Sequence, residues 1–145
     1  MFNYLIKIEY EGTNFVGWQS QKNGKSIQDK IEEALKKVFK YNIKIIGAGR
    51  TDKGVHALSQ FATFKLKKKI NNKKKFLDSI NFFLNKSLIS ILDIKKKNDH
   101  FNARFSAKLR TYEYLIINRQ GTLSINKHRA WHVKKKIDLK LIKKG

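Results

Sequence analysis

The chain has no cysteine and no proline among its 145 residues. Without thiols it can build no disulfide, thiolate metal site, thiol nucleophile or cysteine-held iron–sulfur cluster. Acid is scarce as well. Eleven Asp and Glu stand against 33 Lys and Arg, for a net charge of +22. Such an excess repels itself in a compact state and calls for a polyanionic partner, with RNA, DNA and an anionic membrane as the candidates. No apolar run approaches the ~18 residues that cross a bilayer. The N-terminal stretch alternates rather than running apolar, and it carries Glu9 and Glu11 with no basic leader, so it does not read as a signal peptide. Leu, Ile, Val and Phe supply 44 residues, about 30% of the chain and above the roughly 20% at which a highly charged chain stays disordered. The expectation is a soluble, intracellular, strongly basic globular protein, a single domain over residues 1–145.

The charge has two readings. Lysine outnumbers arginine 28 to 5, Ile and Asn are abundant, and proline is absent. Lys, Asn and Ile have A/T-rich codons and Pro has G/C-rich ones, so genome bias accounts for this composition as well as selection for charge does. Under either cause the surface binds nucleic acid in a salt-dependent way.

Residues 2–10 place Tyr4, Ile6, Ile8 and Tyr10 on one face, the period-2 mark of a strand. A glycine-containing loop follows over 11–19. Ser26 with Asp29 three residues on reads as an N-cap, and Ile31, Ala34, Leu35, Val38 and Phe39 continue at helical spacing to define a helix over 27–40. A short β-branched strand is expected over Ile43–Ile46 and another over 59–66. A helix is expected over 74–85 and a strand over 88–95. The order β-α-β-β-α-β is the ferredoxin-like split βαβ arrangement, an α+β fold with an antiparallel sheet and both helices on one face. A further strand is expected over 109–117, then a turn at Gly121, a short strand over 129–133, and the opening turns of a helix from Ile137. That helix stops at Gly145 before it reaches a useful length, so the chain is expected to be cut short. Lysine triplets at 67–69, 73–75, 95–97 and 134–136 mark element ends, each a solvated loop end taken alone and together a basic surface.

The segment Gly47-Ala-Gly-Arg-Thr-Asp-Lys-Gly-Val-His-Ala57 is the most informative. Its glycines permit a tight loop that presents Arg50 and Asp52 outward from strand ends. Cationic Arg50 and Lys53 would favour an ionised Asp52, the state that a carboxylate nucleophile or base needs. An ordinary Asp-containing turn explains the same residues. The glycine spacing fits neither the P-loop nor the dinucleotide fingerprint. In so lysine-rich a chain, Arg50, Arg104 and Arg110 stand out, because a planar fork grips phosphate or stacks on a base as Lys cannot. Chance retention or a buried ion pair is the alternative. On the expected strand 109–117, Arg110, Tyr112 and Tyr114 share a face suited to single-stranded RNA. Tyr114 reads rather as a core residue, and for Tyr112 both readings stay open. Trp18 and Trp131 read as core anchors. His128 and His132 lack a third ligand nearby, so metal binding there is not expected.

Three ordered motifs, Tyr10-Glu-Gly-Thr-Asn-Phe-Val-Gly-Trp-Gln-Ser-Gln21, Gly49-Arg-Thr-Asp-Lys-Gly-Val-His-Ala57 and Phe101-Asn-Ala-Arg-Phe-Ser-Ala107, together with Arg110-Thr-Tyr-Glu-Tyr114, closely resemble the tRNA pseudouridine synthase A family. The resemblance covers essentially the whole chain. It implies a pseudouridine-synthase-type fold and a cytoplasmic, homodimeric enzyme. Such an enzyme isomerises uridine to pseudouridine in the anticodon stem–loop of tRNA, with no cofactor and no metal. Carried over, Asp52 is the catalytic carboxylate, Arg50 assists base flipping, and Tyr112 packs on the uracil and helps proton transfer. Arg104, Arg110 and Lys53 bind the RNA.

Two departures stand out. Phe83-Leu-Asn-Lys-Ser87 lacks the Pro and Asp that the family usually carries in this stretch, which would alter a loop. Family members also continue well past residue 145, with a second half that includes a His-Met-Val-Arg segment. The chain is therefore expected to be an N-terminal part, and Lys143-Lys144 suggests an A-rich tract at which the reading frame was interrupted. The rival expectations are a catalytically inactive, basic RNA-binding module and a remnant that does not fold.

Overall fold

The computed structural model of the chain describes residues 1–143. They fall into two compact units, Met1–Lys108 and the residues from Leu109 onward.

In the first unit the elements run β1 (Phe2–Tyr10), α1 (Ile27–Phe39), β2 (Ile45–Gly47), β3 (Ala57–Leu66), α2 (Lys73–Leu84), β4 (Ile89–Lys97) and α3 (Ala103–Ser106), with a 3-10 turn at Asn85–Ser87. The sheet order is β2-β3-β1-β4, and each neighbouring pair is antiparallel. Because β3 lies between β1 and β2, the βαβ unit is split, as the element order led one to expect.

The alternation along β1 has its physical counterpart in burial. Tyr4, Ile6, Ile8 and Tyr10 are all buried, and they meet Ala62, Phe64 and Leu66 of β3 in one core. Ile27, Ile31, Ala34 and Leu35 of α1 and Phe76, Ile80 and Leu84 of α2 close that core from the same side. Each such Ile or Leu contributes about 1.5–3 kcal/mol by leaving water. The capping signal is realised, with Ser26 Oγ accepting from Asp29 N at 3.0 Å and donating to Asp29 Oδ2 at 2.6 Å. β4 carries a bulge at Leu92, since Lys7 pairs with Asp93 whereas Ile8 pairs with Ile91. The extra residue lets Ile91 and Ile94 both point inward at a spacing of three. Asn81 of α2 clamps the bulge by donating to Ile91 O at 3.0 Å and accepting from Ile91 N at 2.8 Å.

The opposite face of the sheet carries no long helix of this unit. The segment after β4 turns back over it. Asn3, 1% exposed, uses both hydrogens of its amide, on Asn98 O and Phe101 O, each at 2.8 Å. Thr63 Oγ1 accepts from Ala103 N at 3.5 Å, and α3 packs on β2 and β3.

In the second unit β5 (Ile116–Asn118) and β6 (Trp131–Val133) pair in parallel, followed by α4 (Leu139–Ile142). The strand expected over 109–117 is confined to Ile116–Asn118. Alternation alone makes no ladder, and β6 offers only three residues of partner backbone to residues 116–118. Residues 109–115 therefore lie outside any strand. Tyr114 and Trp131, expected in a core, are 89% and 68% exposed. Trp18 is buried as expected, at 2%.

Candidate active site

The connection from β2 to β3 carries Arg50, Asp52 and Lys53, and all three side chains are exposed. Its tip is a turn closed by Val55 N donating to Asp52 O at 3.2 Å. Gly54 adopts φ 80 within that turn, a conformation that L side chains resist. The base is tied to β3 by Ala48 N donating to Phe61 O at 2.7 Å and Gln60 Nε2 donating to Gly49 O at 3.1 Å. Among the described residues no ion pair joins Arg50 to Asp52, and nothing covers the carboxylate.

A second loop, the one after β1, braces the first. Trp18 N donates to Thr51 O at 2.9 Å. Tyr10 and Thr51 share a hydroxyl–hydroxyl hydrogen bond of 2.8 Å. Gly12 N donates to His56 Nδ1 at 3.0 Å, which also lies 3.5 Å from Glu11 Oε1. Burial raises the pKa of the Tyr10 phenol, while its hydrogen bonds with Thr51 and Gln60 pull the other way. The backbones approach so closely that side chains are excluded. A Cβ on Gly12 would lie 2.0 Å from Val55 O, and one on Gly47 would lie 2.6 Å from the Trp18 ring. Asp52 is thus exposed at the tip of a loop held from β3 and from the preceding loop. That is a suitable mounting for a carboxylate that must meet a substrate in a fixed position.

Arg104 sits on α3, packed on the two strands that the Asp52 loop connects. Its guanidinium carbon is 5.9 Å from the Phe105 ring centroid, and Asn102 caps the short helix by accepting from Arg104 N at 2.9 Å. Arg110 and Tyr112 belong to the second unit, where Tyr112 is 66% exposed. From sequence Tyr10 and Trp18 were read only as core residues and Thr51 and His56 were given no role, so the bracing of the Asp52 loop was not foreseen, although each lies inside a motif. Among the described residues no three of His, Asp and Glu gather as a metal site, and no helix is long and apolar enough to cross a membrane.

The family model described as tRNA pseudouridine synthase matches residues 6–106, a stretch that holds both interlocked loops and α3. The chain belongs to the tRNA pseudouridine synthase family. It is 54% identical over 145 residues to the tRNA pseudouridine synthase A of Pelagibacter ubique (strain HTCC1062), an alignment covering 100% of this chain and 59% of that protein. It is 40% identical over 148 residues to the tRNA pseudouridine synthase A of Thermoanaerobacter sp. (strain X514), covering 100% of this chain and 59% of that one. To the tRNA pseudouridine synthase A of Ehrlichia canis (strain Jake) it is 46% identical over 137 residues, covering 94% of this chain and 56% of the relative. The chain thus spans less than two thirds of the length of the curated relatives it matches. For this pseudouridine synthase family member, Arg110 and Tyr112 fall beyond the family-model match and within the alignment to the Pelagibacter relative.

Proposed function

We propose that this chain carries the catalytic carboxylate of a tRNA pseudouridine synthase acting on uridines of the anticodon stem–loop. The observation that supports it best is the exposed Asp52 on its doubly braced loop, within the stretch that matches the family. In this reading the target nucleotide leaves its stack, at a cost of a few kcal/mol, and Arg50 on the same loop stabilises the opened state. The Asp52 carboxylate adds to the nucleotide, at the sugar or at the base. The N1–C1′ bond breaks, the uracil turns, C5 bonds to C1′, and the bond to Asp52 breaks, which returns the free carboxylate. The C5 proton leaves and N1 gains one, so the reaction balances with no oxidant or reductant. Tyr112 packs on the uracil and assists the proton transfer, and Arg104, Arg110 and Lys53 hold the RNA backbone. The partner chemistry is tRNA in the cytoplasm, with a homodimer as the assembly.

The test is tritium release from tRNA labelled at uridine C5, with the purified chain beside its Asp52→Asn variant. Release by the unaltered chain alone supports the proposal. A second reading, an RNA-binding module without turnover, is favoured by the net charge of +22, which attracts RNA whether or not any chemistry follows. It is supported instead if the chain binds tRNA and releases no tritium.

A further inference from the structure

The helix-free face of the sheet is only partly covered by the segment 98–106. Beside that segment lies a groove of about 370 Å³ lined by Leu5, Lys7, Phe61, Asp93, Lys95 and Lys97. The strand register explains the lining. Lys7 lies between Phe61 and Asp93, Leu5 lies between Thr63 and Lys95, and Asn3 lies between Lys65 and Lys97. Phe61 and Leu5 form an apolar floor, with Phe61 37% exposed. The acid in the groove is already compensated, because Asp93 pairs with Lys73 and lies 4.0 Å from Lys95. Lys7 and Lys97 form no ion pair among the described residues, and Lys97 Nζ lies 4.8 Å from the Phe101 ring centroid at the groove's edge.

We infer that this groove is a binding site for a single-stranded RNA segment, with Phe61 stacking on a base and Lys7, Lys95 and Lys97 contacting phosphates. Same-face residues on a strand recur every ~6.6 Å, so Lys95 and Lys97 present charge at intervals comparable with the phosphates of an extended strand. An exposed aromatic amid tracking lysines is the arrangement by which single strands are held without sequence readout. A lipid surface would be met by a broad basic face, whereas this site is a groove with an apolar floor. An acidic peptide would use the lysines and leave the aromatic floor without a role. The inference rests on the proposed function, since it assigns to RNA held by this protein a second contact area, distinct from the Asp52 loop.

The experiment is a fluorescence-anisotropy titration of the chain with a labelled single-stranded RNA oligonucleotide over a salt series. The variants are Phe61→Leu, Lys7→Gln and Lys97→Gln, with Lys36→Gln on α1 and Lys22→Gln in the loop before it as charge-matched controls, both exposed. Thermal melts confirm that each is folded. Phe61→Leu is expected to weaken binding about five- to a hundredfold, the range for losing one base–aromatic stack. Each groove lysine is expected to lower the slope of log affinity against log salt by about 0.7, with smaller changes for the controls. Equal losses from groove and control variants would mean diffuse attraction and overturn the site. So would an acidic peptide or anionic vesicles displacing the oligonucleotide from the groove more effectively than unlabelled RNA does. Failure of the unaltered chain to bind any RNA would instead sink the proposed function itself.

Discussion

The phenol of Tyr10, at the end of β1, and the hydroxyl of Thr51 lie 2.8 Å apart across 41 positions of sequence. The residue immediately before Asp52 is therefore held by a strand end rather than by its own loop. Tyr10 is 2% exposed, and burial raises its pKa above the ordinary 10.0. In the unfolded chain the phenol ionises from about pH 10, whereas in the fold it keeps its proton to higher pH. The resulting stability is fully present below pH 10 and is lost as pH rises through the raised folded value. Tyr10→Phe should flatten the alkaline limb of melting temperature against pH. At neutral pH it should cost about 0.5–1.5 kcal/mol, the net worth of one hydrogen bond. An unchanged alkaline limb would refute the assignment. If Asp52 is the nucleophile, the same variant should lower kcat for tritium release with little change in tRNA affinity.

Glycine substitutions test the contact between the two loops. An added Cβ on Gly47 would meet the indole of Trp18, and one on Gly17, at φ +117, would lie 2.7 Å from Thr51 O. Gly47→Ala should destabilise by about 1–3 kcal/mol, the usual cost of overpacking. Gly12→Ala should cost more, because the obstacle is the carbonyl of Val55 and not a movable side chain. Gly121 has open space around its Cβ position, so Gly121→Ala should be neutral or gain about 0.4–1 kcal/mol through the unfolded chain. Urea denaturation of the three variants decides this. A loss at Gly121 as large as that at Gly47 would show that steric contact is not the cause.

These contacts also mark where sequence reading runs out. The alternation of Tyr4, Ile6, Ile8 and Tyr10 and the spacing of Ile31, Ala34 and Leu35 report burial directly, so β1 and α1 could be placed to within a residue at either end. Asp52 was visible because glycines and a basic pair surround it. The resemblance to the tRNA pseudouridine synthase A family rested on that segment together with the motifs at 10–21, 101–107 and 110–114, and it is upheld by the family-model match and the relatives of that name. The role of Gly47 was not visible. It reads as loop flexibility, but its requirement is room for an indole 29 positions earlier, and one-dimensional patterns carry no such approach. The strand expected over 43–46 begins instead at Ile45, because the ladder starts only at Ile45 opposite Phe64. Over residues 109–115 the failure is of another kind. Alternating residue types satisfy a strand pattern, but a strand is a hydrogen-bonded pair, and β6 pairs only with residues 116–118. The helix α3 had a readable signal in Asn102, whose side chain caps Arg104 N.

Asp93, at the edge of the groove, gives an acid-side prediction. The hydrogen bond from Lys73 is the largest influence lowering its pKa below the ordinary 3.8; burial opposes it, and Ile94 N–H and Lys95 add to the lowering. A depressed carboxyl contributes stability that is present above about pH 3.8 and is lost as pH falls through the folded value. Lys73→Ala should move the Asp93 carboxyl resonance to titrate at higher pH in NMR and make the acid loss of stability shallower. An Asp93 titration unmoved by Lys73→Ala would mean that Lys95 or the Ile94 amide is the main cause.

Asn3 offers the most local test of how Arg104 is presented. Its amide spends both hydrogens on Asn98 O and Phe101 O, so the segment leading into α3 is fastened to the centre of the sheet by one side chain. Asn3→Ala removes both donors and leaves two carbonyls without them, at a cost of about 1–3 kcal/mol. Asn3→Asp should cost more, because an isosteric carboxylate brings negative oxygens against the same two carbonyls. The decisive reading is hydrogen exchange. The amides of Phe101 and Ser106, bonded to Asn98 O at 3.2 Å and Asn102 O at 2.9 Å, should exchange faster in Asn3→Ala, while the β1–β3 ladder keeps its protection. Local release would tie Asn3 to the placement of Arg104, and tRNA affinity should then fall in Asn3→Ala but not further in an Arg104→Ala background. Uniform acceleration across the sheet would make Asn3 a core residue with no particular bearing on α3.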